Sequence, residues 1–289
     1  MTDHAEAIES GEKMIAAMDV ACPPPGIYRN IPFEVYKGWP SLNSSSMDAR
    51  SGAHTAANMT TDKPDTPAMA FGRMLHAAVL EPDELKLKYA VKKLNWSTIP
   101  GKAERATFAE CGLTPVKAEE WDAAERIRDE IAKHPKAVEL LASSEREASI
   151  IWDNGGLLRK ARLDAPDFDG GAILDVKTTE DASTDGFRKS IRIYDYDRQA
   201  SFYCDGVYEL TGVWPAFYWL VVEKSAPFGV NLIEASPTML QLGAEKWEAA
   251  VKAYREYTPG EPAYSREVTM VEPEYFELRK WGITTEDAP

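Results

Sequence analysis

The sequence predicts an α/β fold in which a mixed, centrally antiparallel sheet is flanked by helices and preceded by a helical elaboration. Three observations lead to this prediction. Separate segments before residue 145 carry apolar residues at helical spacing, short β-type runs separated by turn signals follow, and helical and β-type segments then alternate. Because 44% of the 289 residues are apolar, the chain can bury a sizeable core.

The N-terminal part is expected to contain a loose arm followed by two helices. Residues 1–25 are polar and end in three consecutive prolines, so we expect order to begin near Gly26. The stretch SLNSSSMDARSGA offers several N-cap residues before a short helix. The stretch DTPAMAFGRMLHAAVLEPDEL predicts a longer helix with Thr66 as its cap and Pro67 in its first turn. Its apolar stripe consists of Met69, Leu75, Ala78 and Val79.

A loop and a further helix are expected before the sheet. Residues 81–116 have weak periodicity and contain STIPGKAER, which we interpret as a loop. The segment VKAEEWDAAERIRDEIAKHP predicts a helix that ends before Pro135. One face of this helix carries Trp121, Ala124, either Ile127 or Arg128, and Ile131.

The second half of the sequence contains the segments that predict most of the sheet. The runs EASIIWD, LLRKARLD and GAILDVKTT are separated by turn signals in NGG and APDFDGG, which predicts a three-stranded antiparallel meander. STDGFRKSIRIYDYDRQASFYCDGVYELTG predicts one long helix that closes at Gly212, with a first half that could be irregular. PAFYWLVVEK and FGVNLIEA predict two more strands, and a helix begins at Ser236 and Pro237. The tail after Pro262 has no clear period.

These segments predict a single domain over residues 26–289 behind the arm at residues 1–25. Its mainly helical part covers residues 26–145, and its core covers residues 146–260. A C-terminal extension covers residues 261–289.

Composition narrows the possible functions. The polar start resembles no secretory signal, and the longest apolar run, WPAFYWLVV, is far shorter than the roughly 20 residues that cross a bilayer. We therefore expect a cytoplasmic protein without a membrane partner. Three scattered cysteines indicate neither a disulfide framework nor a zinc or iron–sulfur site. The net charge of -14 argues against DNA binding, although a metal-dependent nuclease must itself collect carboxylates around its ions.

One group of charged residues in the predicted meander could form a catalytic site. Asp175 and Lys177 alternate with Val176 along a strand, so both charged side chains lie on one face. A hairpin through APDFDGG can bring Asp164 beside Asp175. Two carboxylates and a backbone carbonyl, that of Val176, form an oxygen-rich site suited to Mg²⁺, and Lys177 can orient a water molecule or neutralise developing charge. A solvated surface hairpin would carry the same charges, so the pattern alone leaves both interpretations open.

The surrounding sequence resembles a known group. RLDAP and ILDVKTT resemble the PD-(D/E)XK nuclease core. The blocks GIYRNIPFEVYKGWPSLNSSSMDA, PAMAFGRMLHAAVLEPDE and YDYDRQASFYCDGVYELTG resemble the RecE (exonuclease VIII) C-terminal nuclease family of phages and prophages. The resemblance runs from about Gly26 to about Glu223. It implies a Mg²⁺-dependent 5′-to-3′ exonuclease acting on double-stranded DNA, with Mn²⁺ as a possible substitute for Mg²⁺.

The resemblance also assigns roles to single residues. It implies that Asp164 and Asp175 are metal carboxylates, that Lys177 is the catalytic lysine and that His76 lies near the metals. Gln199 and Tyr203 match a Gln and a Tyr beside the family's active site, and their spacing of four places them on one helix face.

Glu147 and a set of basic residues are weaker candidates. Glu147 is a possible further acidic ligand at the start of the first strand. A basic DNA track is not obvious, but several cations could gather on one side of the fold. These candidate DNA contacts are Arg73, Arg159, Lys160, Arg162, Arg188, Lys189, Arg192 and Arg198.

The resemblance further implies partners. The product would be a 3′ single strand that feeds a RecT-like annealing protein, and the working form would be a homo-oligomeric ring, a trimer or a tetramer, on duplex DNA ends. Two alternatives stay open. One is another PD-(D/E)XK enzyme, such as a Cas4-like nuclease or an endonuclease. The other is a catalytically silent acidic interaction protein that keeps the fold.

Overall fold

Two β-sheets meet at a bend of the chain around Asp164 in the computed structural model, which describes residues 22–61 and 66–282. Most of the expected N-terminal arm lies outside the described residues. The strands are β1 (Gly26–Tyr28), β2 (Tyr89–Val91), β3 (Thr114–Val116), β4 (Ala148–Asn154), β5 (Leu157–Leu163), β6 (Ala165–Asp167), β7 (Ala172–Thr179), β8 (Ala216–Glu223) and β9 (Val230–Glu234).

The helices surround these sheets. They are α1 (Phe33–Gly38), α2 (Gly52–Thr60), α3 (Pro67–Leu80), α4 (Leu85–Lys88), α5 (Ile99–Glu110), α6 (Ala118–Ala132), α7 (Pro135–Ser143), α8 (Thr184–Tyr194), α9 (Tyr196–Thr211), α10 (Pro237–Glu256) and α11 (Tyr275–Trp281), with a short 3₁₀ turn at Ser44–Ser46. No helix in the described ranges is long and apolar enough to cross a membrane.

The sheets have mixed strand directions, as the sequence predicts, but the expected antiparallel centre is wrong for one of them, because α8 and α9 form a crossover that lets β7 and β8 run parallel. One sheet has the antiparallel order β1-β4-β5, and the other has the order β6-β7-β8-β9. In the second sheet β7 and β8 run parallel, while β6 and β9 are antiparallel edge strands. A separate parallel pair joins β2 to β3.

The predicted three-stranded meander is wrong in one respect. β4 and β5 form its first hairpin, but β7 belongs to the other sheet, where it pairs with β6 and β8. The chain bends at Asp164, between β5 and β6, and so passes from one sheet to the other. Pro166 has no N–H to donate, which suits the edge position of β6.

Helix boundaries depart from the prediction in two places. The expected single long helix is divided into α8 and α9, because Asp195 takes a left-handed conformation with φ of 53°. The expected loop at residues 81–116 contains α4, β2, α5 and β3. There Thr98 caps α5 by accepting a hydrogen bond from the backbone N–H of Gly101.

Other helix predictions hold with local corrections. Thr66 caps α3 by accepting from the N–H of Met69, yet the Met69 side chain itself is 48% exposed and is no part of the core. Pro135 begins α7, which the sequence analysis missed, and the tail after Pro262 contains α11.

Two apolar clusters cover the two faces of the β7–β8 layer. Leu174, Val176, Leu220 and Val222 face α3, α6 and α7. Ile173, Phe217, Trp219 and Val221 face α8, α9 and α10. Fully burying each such side chain stabilises the fold by about 1.5–3 kcal/mol, so both faces of β7 are firmly held. Side-chain alternation then directs Asp175 and Lys177 toward the face covered by α8 and α9.

Candidate active site

Strand β7 holds an acid and a base in one ion pair. Lys177 Nζ lies 2.5 Å from Asp175 Oδ2, and both side chains are largely buried, with Asp175 only 2% exposed as a residue. The strand places the two residues on one face, as their alternation predicts. A charge pair at this depth is costly to desolvate, and buried ionisable groups of this kind cluster at functional sites.

The bend at Asp164 brings a second carboxylate to the same strand. Asp164 Oδ2 accepts a hydrogen bond of 2.8 Å from the backbone N–H of Val176. This bond fixes the Asp164 carboxylate beside Val176, the residue between Asp175 and Lys177. The two aspartates, eleven positions apart in sequence, therefore meet across the hairpin.

Helix α3 adds His76 from the opposite layer. Its Nε2 lies 3.0 Å from the carbonyl oxygen of Val176, and its Nδ1 lies 3.5 Å from Asp164 Oδ2. If Nε2–H donates to the carbonyl, a neutral ring presents the Nδ1 lone pair to the carboxylate. Two acceptors that face each other in this way are stabilised by a cation. Both backbone groups of Val176 therefore have partners: its N–H donates to Asp164, and its carbonyl oxygen contacts His76.

Burial and charge oppose each other at the ion pair. Burial raises the pKa of Asp175 to about 6, with Lys177 opposing the rise and Asp164 adding to it. Burial alone would lower the pKa of Lys177, but the charges of Asp175 and Asp164 outweigh burial, and the pKa is raised. Lys177 consequently keeps its positive charge in a water-poor site.

Tyr196 is a site residue that the sequence analysis missed. Lys177 Nζ lies 4.8 Å from the centroid of its ring, a cation–π distance. The ring in turn stacks on Phe187, with centroids 5.9 Å apart, and lies 5.5 Å from the ring of Tyr194. Tyr196 precedes Gln199 by three positions on α9, and this helical spacing was the signal that could have identified it.

We expect the Tyr196 ring to position the ammonium group of Lys177. Tyr196→Phe keeps the ring and should retain most of the cleavage rate, whereas Tyr196→Leu should lower the rate about 5- to 30-fold, the equivalent of about 1–2 kcal/mol for a desolvated cation–π contact. Single-turnover cleavage at saturating DNA measures the effect. Equal rates in the two variants would show that the ring does not act on Lys177.

Gln199 and Tyr203 form a hydrogen-bonded pair on α9. Gln199 Nε2 donates to the Tyr203 hydroxyl at 2.9 Å. Tyr203 is nearly buried, and burial, Tyr36 and Asp175 raise its pKa well above the usual range. The influence of Asp175 places this hydroxyl near the carboxylates, and the raised pKa keeps it protonated as a hydrogen-bond donor.

Glu147 supports the bend and is already paired. Its backbone N–H donates to the carbonyl oxygen of Asp164 at 2.9 Å. Its carboxylate lies 2.5 Å from Arg162, which also donates to the carbonyl of Ile31 at 2.7 Å. Glu147 and Arg162 therefore stabilise the backbone around Asp164. These contacts give no direct support for Glu147 as a metal ligand or for Arg162 as a DNA contact.

Two of the candidate DNA contacts require correction, because Arg159 and Lys160 are 2% and 3% exposed. Arg159 pairs with Asp205 at 3.2 Å and lies over the ring of Trp247. Lys160 Nζ donates to three backbone carbonyls, those of Tyr36, Lys37 and Trp39. Neither side chain reaches a surface that DNA could contact, because both faces of β5 are covered.

The remaining basic candidates lie nearer the surface. Arg198 is mostly buried and donates to the carbonyl of Met47 at 2.6 Å. Arg188, Lys189 and Arg192 are exposed on α8, whose last residue, Tyr194, contacts the Tyr196 ring. Arg73 lies on α3, three positions before His76. The exposed candidates thus lie on α8 and on α3, the helix that carries His76.

The donor set fits a hard divalent cation, although no ready cluster is formed. In the part of the chain that the structure describes, no three His, Cys, Asp or Glu side chains are grouped as a metal site. Asp175 is paired with Lys177 instead. Two carboxylates, the Val176 carbonyl and an imidazole nitrogen that faces a carboxylate are nevertheless donors that Mg²⁺ or Mn²⁺ accepts.

Comparisons with known proteins agree with this geometry. The model of a family described as a PDDEXK-like domain of unknown function (DUF3799) matches residues 42–271. The crystal structure of a candidate exonuclease from Eubacterium rectale is similar in fold, with a TM-score of 0.55 and 16% sequence identity. The similarity covers 86% of this chain and 96% of that one. No curated protein matches the sequence. The predicted fold class, a PD-(D/E)XK core with a mixed sheet flanked by helices, is confirmed.

Proposed function

Because this chain belongs to the family of PDDEXK-like domains of unknown function (DUF3799), we propose that it is a metal-dependent nuclease of the RecE (exonuclease VIII) type. In this proposal residues 26–289 act as one exonuclease domain that degrades linear double-stranded DNA from 5′ to 3′. The alternatives, a Cas4-like nuclease or an endonuclease, share the same metal chemistry and differ in their substrate.

The arrangement around Val176 is the observation that carries this proposal. Asp164 holds its N–H, His76 contacts its carbonyl, and the neighbouring residues on each side are the buried Asp175 and Lys177. A solvated hairpin would not bury an acid and a base together, and a silent interaction protein would have no need to retain all four groups. The geometry therefore favours catalysis over a surface or scaffolding role.

Asp164 and Asp175, with the Val176 carbonyl and His76, would hold Mg²⁺, and Mn²⁺ should substitute for it. When bound, the metal supplies positive charge that activates water and stabilises charge on phosphoryl oxygens. Lys177 provides a fixed ammonium group next to the same carboxylates, where it can orient the attacking water or neutralise the scissile phosphate. The Tyr196 ring contacts the same ammonium group, with 4.8 Å between Lys177 Nζ and the ring centroid.

DNA topology and end labels test the proposed activity. Linear duplex should lose nucleotides progressively from its 5′ ends in Mg²⁺, and covalently closed circular duplex should stay intact. An internal label should be released only after the end label. Cutting of the circular DNA would instead identify an endonuclease, and release from 3′ ends would contradict the proposed polarity.

A ring would reconcile the acidic composition with progressive digestion. A single protomer with a net charge of -14 repels duplex DNA, so a subunit that released DNA after each step would re-bind slowly. A closed trimer or tetramer around the duplex avoids release by its topology. Light scattering should give three or four times the mass of 32.1 kDa, and a monomer that digests long duplexes without dissociating would contradict the ring. The 3′ strand left behind is a substrate for a RecT-like annealing partner.

A further inference from the structure

The segment before and within α5 has a charge opposite to that of the whole chain. The protein has 33 Lys and Arg against 47 Asp and Glu, but residues 85–105 contain six basic residues and one acid. All six basic side chains are exposed. We call them the basic patch: Lys86, Lys88, Lys92, Lys93, Lys102 and Arg105.

The single acid in this segment is used internally. The carboxylate of Glu104 accepts hydrogen bonds from the backbone N–H groups of Lys93 and Leu94 and from the indole N–H of Trp96. These bonds tie the loop after β2 to helix α5. The loop is therefore held against α5, and the Glu104 carboxylate, which also lies near Lys92, serves these three donors.

An aromatic ring draws part of the patch together. Lys92 Nζ lies 5.0 Å and Arg105 Cζ 5.7 Å from the centroid of the Trp96 ring, so two cations share one aromatic side chain. Lys88 differs from the others because it pairs with Glu81 and Glu84. Lys86 and Lys88 lie on α4, whereas the other four members of the patch lie just after β2 or on α5: Lys92, Lys93, Lys102 and Arg105.

The patch is anchored to the helix that carries His76. Leu85 is buried, and Tyr89 and Val91 pack against the apolar cluster that includes Leu75 and Val176. Burial raises the pKa of Tyr89, the charges of Arg73 and Lys88 oppose the rise, and those of Glu147 and Glu81 add to it, so cations and carboxylates both lie near this ring. Arg73 precedes His76 by three positions on α3 and so shares its side of the helix. The patch is therefore anchored on the same apolar cluster as the helix that carries His76 and the strand that carries Val176.

We infer that the basic patch binds the phosphate backbone of duplex DNA beside the active site. This inference rests on the proposed function and specifies where an acidic protein holds its substrate. Clustered cations on a rigid surface attract phosphates by releasing counterions, and the local excess decides the contact even when the net charge is negative. Phosphate contacts of this type carry no sequence preference, as a nuclease that digests any duplex requires.

DNA binding without cleavage tests this inference. The quadruple variant Lys92→Gln, Lys93→Gln, Lys102→Gln and Arg105→Gln is compared with the protein whose patch is unchanged. Both proteins carry Asp175→Asn, and both are measured in chelator. Fluorescence anisotropy with a short blunt duplex measures affinity over a range of salt concentrations. We expect the patch variant to bind roughly 10- to 100-fold more weakly at low salt, with a salt slope smaller by about 3.

Two further variants make the comparison specific. A control with Lys133, Lys136, Lys252 and Lys280 changed to Gln removes the same charge from other exposed positions and should keep the parental affinity. Replacing Lys92, Lys93 and Lys102 by Arg keeps the charge and should also keep the affinity. Circular dichroism and thermal unfolding verify that each variant is folded.

Several outcomes would overturn the inference. Parental affinity in the patch variant, or an equal loss in the control, would show that the patch has no special part in binding. Exposed Leu87 and Ile99 beside the lysines would also suit an anionic membrane. Tighter patch-dependent binding to phosphatidylserine vesicles than to duplex would therefore assign the patch to lipid. Because binding is measured without turnover, the role of the patch in DNA binding can be decided even if the proposed nuclease activity is not found.

Discussion

Asp175→Asn and Asp164→Asn should each abolish DNA cleavage while the protein stays folded. Asparagine has nearly the shape of aspartate, and an amide oxygen at position 164 can still accept from the N–H of Val176. The change removes one hard anionic ligand from a site that must hold a divalent cation. Since the metal contributes several kcal/mol to transition-state stabilisation, we expect the rate to fall by at least about 10³-fold.

A matched variant separates this effect from a general loss of charge. Asp169 is exposed in the same hairpin, so Asp169→Asn removes an equal charge away from the site and should leave the rate unchanged. Single-turnover cleavage and thermal unfolding are measured for all three variants. Wild-type rates in a folded Asp175→Asn or Asp164→Asn protein would remove that carboxylate from the mechanism.

Lys177→Ala should lower the cleavage rate by about 10²- to 10³-fold, by analogy with the loss of one preorganised electrostatic group. The ammonium group is buried, paired with Asp175 and held by the Tyr196 ring, so no other group can take its place without rearrangement. Its removal also leaves Asp175 buried without a cation. The Mg²⁺ concentration needed for half-maximal rate should change as well.

The readout for Lys177 must distinguish chemistry from binding. Rates at saturating DNA should fall in Lys177→Ala while the dissociation constant for duplex stays close to that of the wild type. Lys252→Ala, an exposed lysine on α10 that is not among the candidate DNA contacts, serves as the control. A defect confined to DNA affinity would make Lys177 a phosphate contact and would contradict its proposed role in the transition state.

Local chemistry made much of the site predictable. Alternation along a strand placed Asp175 and Lys177 on one face, and the turn signal in APDFDGG indicated the hairpin that brings Asp164 to them. The position of His76 followed from the resemblance, because nothing within α3 reveals which strand the helix will pack against. Cap residues likewise marked the starts of α3 and α10 correctly.

Features that depend on tertiary contacts were not predictable in this way. Arg159 and Lys160 look like surface charges in an alternating strand, yet packing on both faces of β5 buries them with an acid and three carbonyls as partners. The break at Asp195 is a single left-handed residue inside a helical pattern. In residues 81–116, elements of three to twelve residues are too short for periodicity to reveal them.

Metal-dependent release of nucleotides from linear duplex by the purified wild-type protein is the most direct measurement of whether Asp164, Asp175 and Lys177 form a nuclease centre. The DNA is uniformly labelled, and acid-soluble label is followed with Mg²⁺, with Mn²⁺ and with chelator. The proposed centre predicts release with either metal, none in chelator, and recovery when excess Mg²⁺ is restored. Release that persists unchanged in chelator, or a folded protein that releases no label with either metal, would contradict it.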